Sequence, residues 1–242
     1  MSPADTGPAA VHYLPIATTA ISIVFLWVLI RRYARFRSGP HLLWWAAGIF
    51  AYGLGTAMEA AITLGGNSVW LTKAWYIAGA LLGGYPLAQG TVYLLLGRRT
   101  AHLLTALTVP FIVVCAAVVC FWPVNLAALE PHRPGVEVLQ RGWVRLTPPV
   151  INSYAAFFLI GGAIFSAIRY ALKTGAGGRA LGNSLIAAGA LLPAIGGWMA
   201  RQGDVEALYV GEFAGLLLIW AGYGACVGKS AAARPTPILS AP

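Results

Sequence analysis

Seven stretches of this chain, residues 13–30, 41–64, 74–97, 101–122, 148–168, 180–200 and 207–228, are apolar throughout and carry only two formal charges between them, Glu59 and Glu212. That pattern restricts the fold more than any other feature. A bilayer core about 30 Å thick needs roughly 20 helical residues per crossing, because hydrocarbon offers no partner to an exposed backbone amide. The expectation is an all-α membrane protein, a bundle of seven transmembrane helices forming a single domain over residues 1–228. The balance of residue types agrees: 59% are apolar and 10% charged, whereas soluble domains carry about a quarter charged residues.

The loops predict which way the bundle faces, since Lys and Arg accumulate on the cytoplasmic side. One set of connections holds Arg31, Arg32, Arg35, Arg37, Arg98, Arg99, Arg169, Lys173, Arg179, Lys229 and Arg234, with no acid among them. The opposite side holds Lys73, Arg133, Arg141, Arg145 and Arg201, matched by Asp5, Glu130, Glu137, Asp204 and Glu206. The amino terminus is therefore expected outside and the carboxyl terminus in the cytoplasm, in a multi-pass protein of the plasma membrane. Basic residues follow the first apolar stretch instead of preceding it, which argues against a cleaved signal and keeps span one in the mature protein. The formal charge of +9 fits topology and the attraction of anionic lipid headgroups. Nucleic acid is not an expected partner, because no segment could form a solvated basic module.

Residues 123–147 form the longest predicted connection, on the outer side. Partial alternation in its second half allows a short hairpin or an interfacial segment anchored by Trp143. The connection either lies across the bundle mouth as a lid or merely joins spans four and five. The tail 229–242, with Pro235 and Pro237, reads as short, cytoplasmic and disordered. No output domain accompanies the apolar part, so a signal would leave through a partner protein in the membrane or the cytoplasm.

Small residues four apart permit close helix packing in lipid. They occur at Gly79 and Gly83 in span three, and at Gly211 and Gly215, and Gly224 and Gly228, in span seven. Pro86 and Pro193 each lie near paired glycines in spans three and six, a hint of internal pseudo-symmetry or of ordinary kinks. Gln89 is expected to join helices.

Glu59 and Glu212 each lie roughly 7–10 Å below the outer end of their helices at the helical rise. A carboxylate in hydrocarbon is costly, so both should face each other or water. With Lys73, Tyr76, Arg201 and Tyr209 they define an expected outward-facing polar pocket built by spans two, three, six and seven, with Tyr52 and Tyr85 as further candidates. On one reading the acids bind a ligand or ion and Lys73 tunes their protonation. On the other, Glu59 and Lys73 are a partly buried ion pair and Glu212 is a hydrogen-bonded carboxyl.

Several chemistries lack their residues. Retinal-binding rhodopsins need a lysine in the last span, and residues 207–228 contain none, so the likeness to them, as to the seven-helix receptor modules of sensor kinases, ends at helix number. His12, His41, His102 and His132 lie at span ends or in a loop, away from where an intramembrane haem or zinc would need them. Cys115, Cys120 and Cys226 have no metal spacing, and no phosphate loop or nucleophile elbow is present. No cofactor, metal or catalytic residue is expected. The preferred reading is a non-catalytic sensing or ligand-binding module, or an accessory subunit. A small transporter or proton-coupled carrier using Glu59 and Glu212 comes next, and a lipid-modifying enzyme last.

Overall fold

The computed structural model describes residues 10–37 and 39–231, all of its regular elements being helical. Six helical stretches are long and apolar enough to cross a membrane: Ala10–Phe36, Pro40–Gly65, Arg98–Phe121, Trp143–Ala171, Gly177–Ala200 and Val205–Gly228. The last helix continues to Ala231, past the expected start of the tail, and the tail's remainder from residue 232, like Asp5, lies outside the described residues.

Residues 74–97, expected as span three, are not one helix. α1 (Leu14–Phe36) and α2 (Pro40–Gly65) are followed by the short α3 (Val69–Trp75), a π-helical turn Tyr76–Leu81, and then α4 (Tyr85–Leu95). Pro86 is the cause. It has no amide to give the carbonyl four residues back and its ring clashes there, so it ends one helix and opens the next. The chain turns through Leu82, Gly83 and Gly84, with Leu82 N donating to Ile77 O at 3.0 Å and Gly83 N to Gly79 O at 3.0 Å.

α5 (Arg98–Phe121) follows, and the fifth span is interrupted too: α6 (Thr147–Ala155) passes through a π turn, Ala156–Gly161, into α7 (Gly162–Ala171). α8 (Gly177–Ala200) and α9 (Val205–Ala231) complete the chain. Pro193 sits inside an unbroken α8, so the two prolines do different things and the hint of pseudo-symmetry they carried has no counterpart in these two helices. The carbonyl that Pro193 leaves free, Gly189 O, lies against Gly215 of α9, where an added Cβ would come within 2.5 Å of it.

The helices close a ring. α4 packs on α2, α2 on α1, α1 on α9, α9 on α8, α8 on α7 and its π turn, and that turn on α4, while α5 packs outside against α4. Gln89 fastens this periphery: its amide donates to Thr105 Oγ1 at 2.7 Å and accepts from the Tyr154 hydroxyl at 2.6 Å, joining α4, α5 and α6. Within the ring the α8–α9 hairpin is the closest pair. Gly182, Gly189 and Gly196, seven apart on α8, face Gly222, Gly215 and Ala207 of α9, so the backbones nearly touch. Gly224 and Gly228, expected to pack, have nothing within 4 Å.

Residues 123–147 are more than a connector. They form 3₁₀ turns and a single antiparallel bridge, Val124 with Leu139, in place of the hairpin. Val138, Leu139 and Val144 are fully buried in the adjoining core, and Trp143 is exposed beside Trp122. Asn67 holds the segment from below, its side-chain amide donating to Glu130 O and Arg133 O, both at 3.0 Å. This pole of the ring is the loop end. The other, bearing the α1–α2 and α7–α8 turns, is the basic end.

Candidate functional site

A cavity of about 340 Å³ occupies the ring at the loop end, and Glu59 and Glu212 line it. Local sequence explains how they meet. Gly55 approaches Gly79 so closely that an added Cβ would lie 3.0 Å from the Gly79 Cα, which draws the broken helix against α2. One turn further along α2, Glu59 then meets Trp75, whose indole nitrogen donates to Glu59 Oε1 at 2.8 Å. Two turns back on the same face, the Tyr52 hydroxyl donates to the backbone carbonyl of Glu212 at 2.8 Å, tying α2 to α9.

The two carboxyls lie within hydrogen-bonding reach of each other. Glu59 is 1% exposed, and the Oε2 atoms of both residues are buried without a donor from any other residue. Such groups in a low-dielectric interior are costly unless satisfied. The surrounding wall mixes small residues, among them Gly79, Gly83, Gly84, Ala155 and Ala194, with large ones that include Tyr52, Trp75, Trp198 and Leu208. Asn152 crosses from α6 to donate to Ala80 O at 3.1 Å, satisfying a carbonyl of the π turn.

The other expected site residues divide. Arg201 lines the cavity from the end of α8 and is exposed. Lys73 does not reach the acids. Its ammonium donates to Cys120 O at 2.8 Å and Trp122 O at 2.9 Å, capping the carboxyl end of α5, where a cation offsets the helix dipole. The expected Glu59–Lys73 ion pair is therefore replaced by a Glu59–Glu212 contact. Tyr76 is 1% exposed and donates to Val144 O at 3.1 Å, so it fastens the covering segment and does not line the cavity. Tyr209, also 1% exposed, stands behind the acids with its ring edge toward His12.

The segment 123–147 covers this cavity, with Pro134, Gly135 and Val136 in its wall. Its lock is Glu206 at the start of α9, which accepts from Arg133 Nη2 at 2.8 and 2.9 Å and has His12 at 3.4 Å. His132 contacts Thr63 O at 3.1 Å.

Sequence reasoning passed over Trp75, Asn152 and the cover residues. The Gly55 to Glu59 spacing was a usable signal, since it sets a close-approach glycine and an acid on one helix face, but the facing Gly79 and Trp75 could not be paired with them without the break at Pro86. No family model and no curated protein matches the chain.

Proposed function

We propose that the protein is a seven-crossing membrane protein that binds a small organic ammonium ion at the Glu59–Glu212 pair, as a non-catalytic ligand-binding or sensing module or an accessory subunit. The broken segment 74–97 counts as the seventh crossing in this reading. Non-helical backbone is tolerated at membrane depth where it is buried in protein or lines a cavity, as the break at Leu82–Gly84 does. The distribution of Lys and Arg supports an outside amino terminus, a cytoplasmic carboxyl terminus and a place in the plasma membrane. Membrane lipids surround it, and a membrane or cytoplasmic protein receives its output.

One observation carries the ligand class: two neighbouring carboxyls, each with a buried oxygen that no other residue donates to, line one cavity. Without ligand the pair is relieved by one shared proton; once that proton leaves, it needs donors and a positive charge. An ammonium group supplies both. No third His, Cys, Asp or Glu joins them among the described residues, which favours ammonium over a metal ion.

A carrier is the second reading, favoured by a specific feature. Leu87, Leu159 and Ile219 line this cavity and also a second one at the basic end, so a single layer of side chains separates the two. Leu87 follows the break and Leu159 lies in the other π turn. Calorimetric titration of the purified protein with n-butylammonium tests the site: saturable binding is expected, with none for 1-butanol or butyrate. Equal binding of 1-butanol would overturn the charge argument. In proteoliposomes, accumulation of n-butylammonium driven by a pH gradient would select the carrier, and its absence the binding module.

A further inference from the structure

The second cavity, also about 340 Å³, has its own unmet chemistry. Arg32 from α1, Arg169 from α7 and Arg179 from α8 line it. Both ion pairs among the described residues are made by Glu206 at the loop end, so none of these three guanidinium groups has a carboxylate partner there. The described acids are all elsewhere: Glu59 and Glu212 line the first cavity, and Glu130, Glu137, Asp204 and Glu206 belong to the loop end. Deeper in, the Tyr223 hydroxyl and Trp45 Nε1 are buried without a hydrogen-bond partner, and both residues line the cavity. Tyr223 is 8% exposed. Each unmet group here can donate. Around them much of the wall is apolar, with Phe25, Leu29, Leu42 and Ile49 all buried.

A ring of donors above an apolar chamber fits a ligand with an acceptor-rich anionic head and a hydrocarbon tail. The volume lies within the range of small-molecule sites, about 300–1,000 Å³. Phosphate oxygens match guanidinium forks in charge and geometry. We propose that this cavity holds one acyl chain of an anionic bilayer phospholipid, with its phosphodiester seated on Arg32, Arg169 and Arg179. The site does not depend on what binds at Glu59 and Glu212.

Native mass spectrometry of the full chain, offered phosphatidylglycerol and phosphatidylcholine of identical chains in equal amounts, tests this. At least tenfold preferential retention of phosphatidylglycerol is expected. Each single change, Arg32→Gln, Arg169→Gln or Arg179→Gln, should cut retention about fivefold, the worth of one basic residue near an anionic surface. The three together should bring it to the phosphatidylcholine level, and the corresponding Arg→Lys triple should keep most of the preference, which excludes misfolding as the cause. Ser166→Leu fills the chamber without touching charge and should cut retention at least tenfold. Excess inorganic phosphate should leave the lipid bound. Absence of preference, its survival in the glutamine triple, full retention in Ser166→Leu, or displacement by phosphate would each overturn the proposal, the last two by placing the headgroup alone at the protein surface.

Discussion

Replacing Glu59 and Glu212 together by glutamine is expected to abolish n-butylammonium binding, by at least 100-fold, and to leave the protein at least as stable to heat as the parent. The reasoning starts from the orphaned Oε2 atoms. A buried acceptor without a donor costs about 1–3 kcal/mol, a cost that two neighbouring carboxyls escape only by sharing a proton or holding a cation. A glutamine at 59 still accepts from Trp75 through its carbonyl oxygen, while its amide nitrogen can donate across to residue 212. The exchange keeps shape, supplies donors and removes charge. Each kcal/mol gained raises Tm by about 2–4 °C for a domain of this size. Binding should fail because nothing remains to hold a cation. Opposite signs in the two assays are the signature of a site retained for function at the expense of stability. A fall in Tm with binding intact would mean that the acids only fix helix register. Thermal melts followed by tryptophan fluorescence, run beside the calorimetric titration, read both.

Gly189→Leu should be among the most destructive single changes. An added Cβ at Gly189 would lie 2.6 Å from Gly215 O and 2.9 Å from Ile219 N, both backbone atoms of the facing helix that no rotamer change can move. The α8–α9 hairpin would have to separate along its length, opening the wall that carries Glu212. The expected cost exceeds about 4 kcal/mol, the range reached only when packing is broken outright. Gly197→Leu, on the same helix with nothing within 4 Å, should be tolerated. The share of protein eluting as a monodisperse species after detergent extraction separates the two. Comparable yields would refute the close-packed hairpin.

Much of this architecture was legible in the sequence, and the unreadable parts have physical reasons. Apolar length marks a crossing because the bilayer imposes it, and six such helices are present. It cannot distinguish an intact helix from one broken at Pro86, since Pro193 in similar company leaves α8 whole. The difference lies in what each proline meets: Gly215 of α9 closes against α8 at Pro193, whereas Pro86 follows a π turn and a glycine pair. Two acids nearly free of competing charge were bound to seek each other, and they do. Lys73 was misplaced for the opposite reason. Its position along the chain suited Glu59, but the carboxyl end of α5 offered it two carbonyls at 2.8 and 2.9 Å, a contact between elements that no spacing encodes. The cover was ambiguous because its hold on the bundle rests on buried valines and a leucine and on scattered long-range contacts such as Asn67 with Glu130 O and Arg133 with Glu206, which no local pattern encodes.

The most direct measurement is the proton count on binding. On this account the two carboxyls share one proton while no ligand is bound, and an arriving ammonium takes its place. Calorimetric titration with n-butylammonium near neutral pH, repeated in buffers of different ionisation enthalpy, should return about one proton released per ligand bound, and no release in Glu59→Gln. Binding of undiminished affinity with no proton exchanged would contradict the account, because the ligand would then sit away from the acid pair.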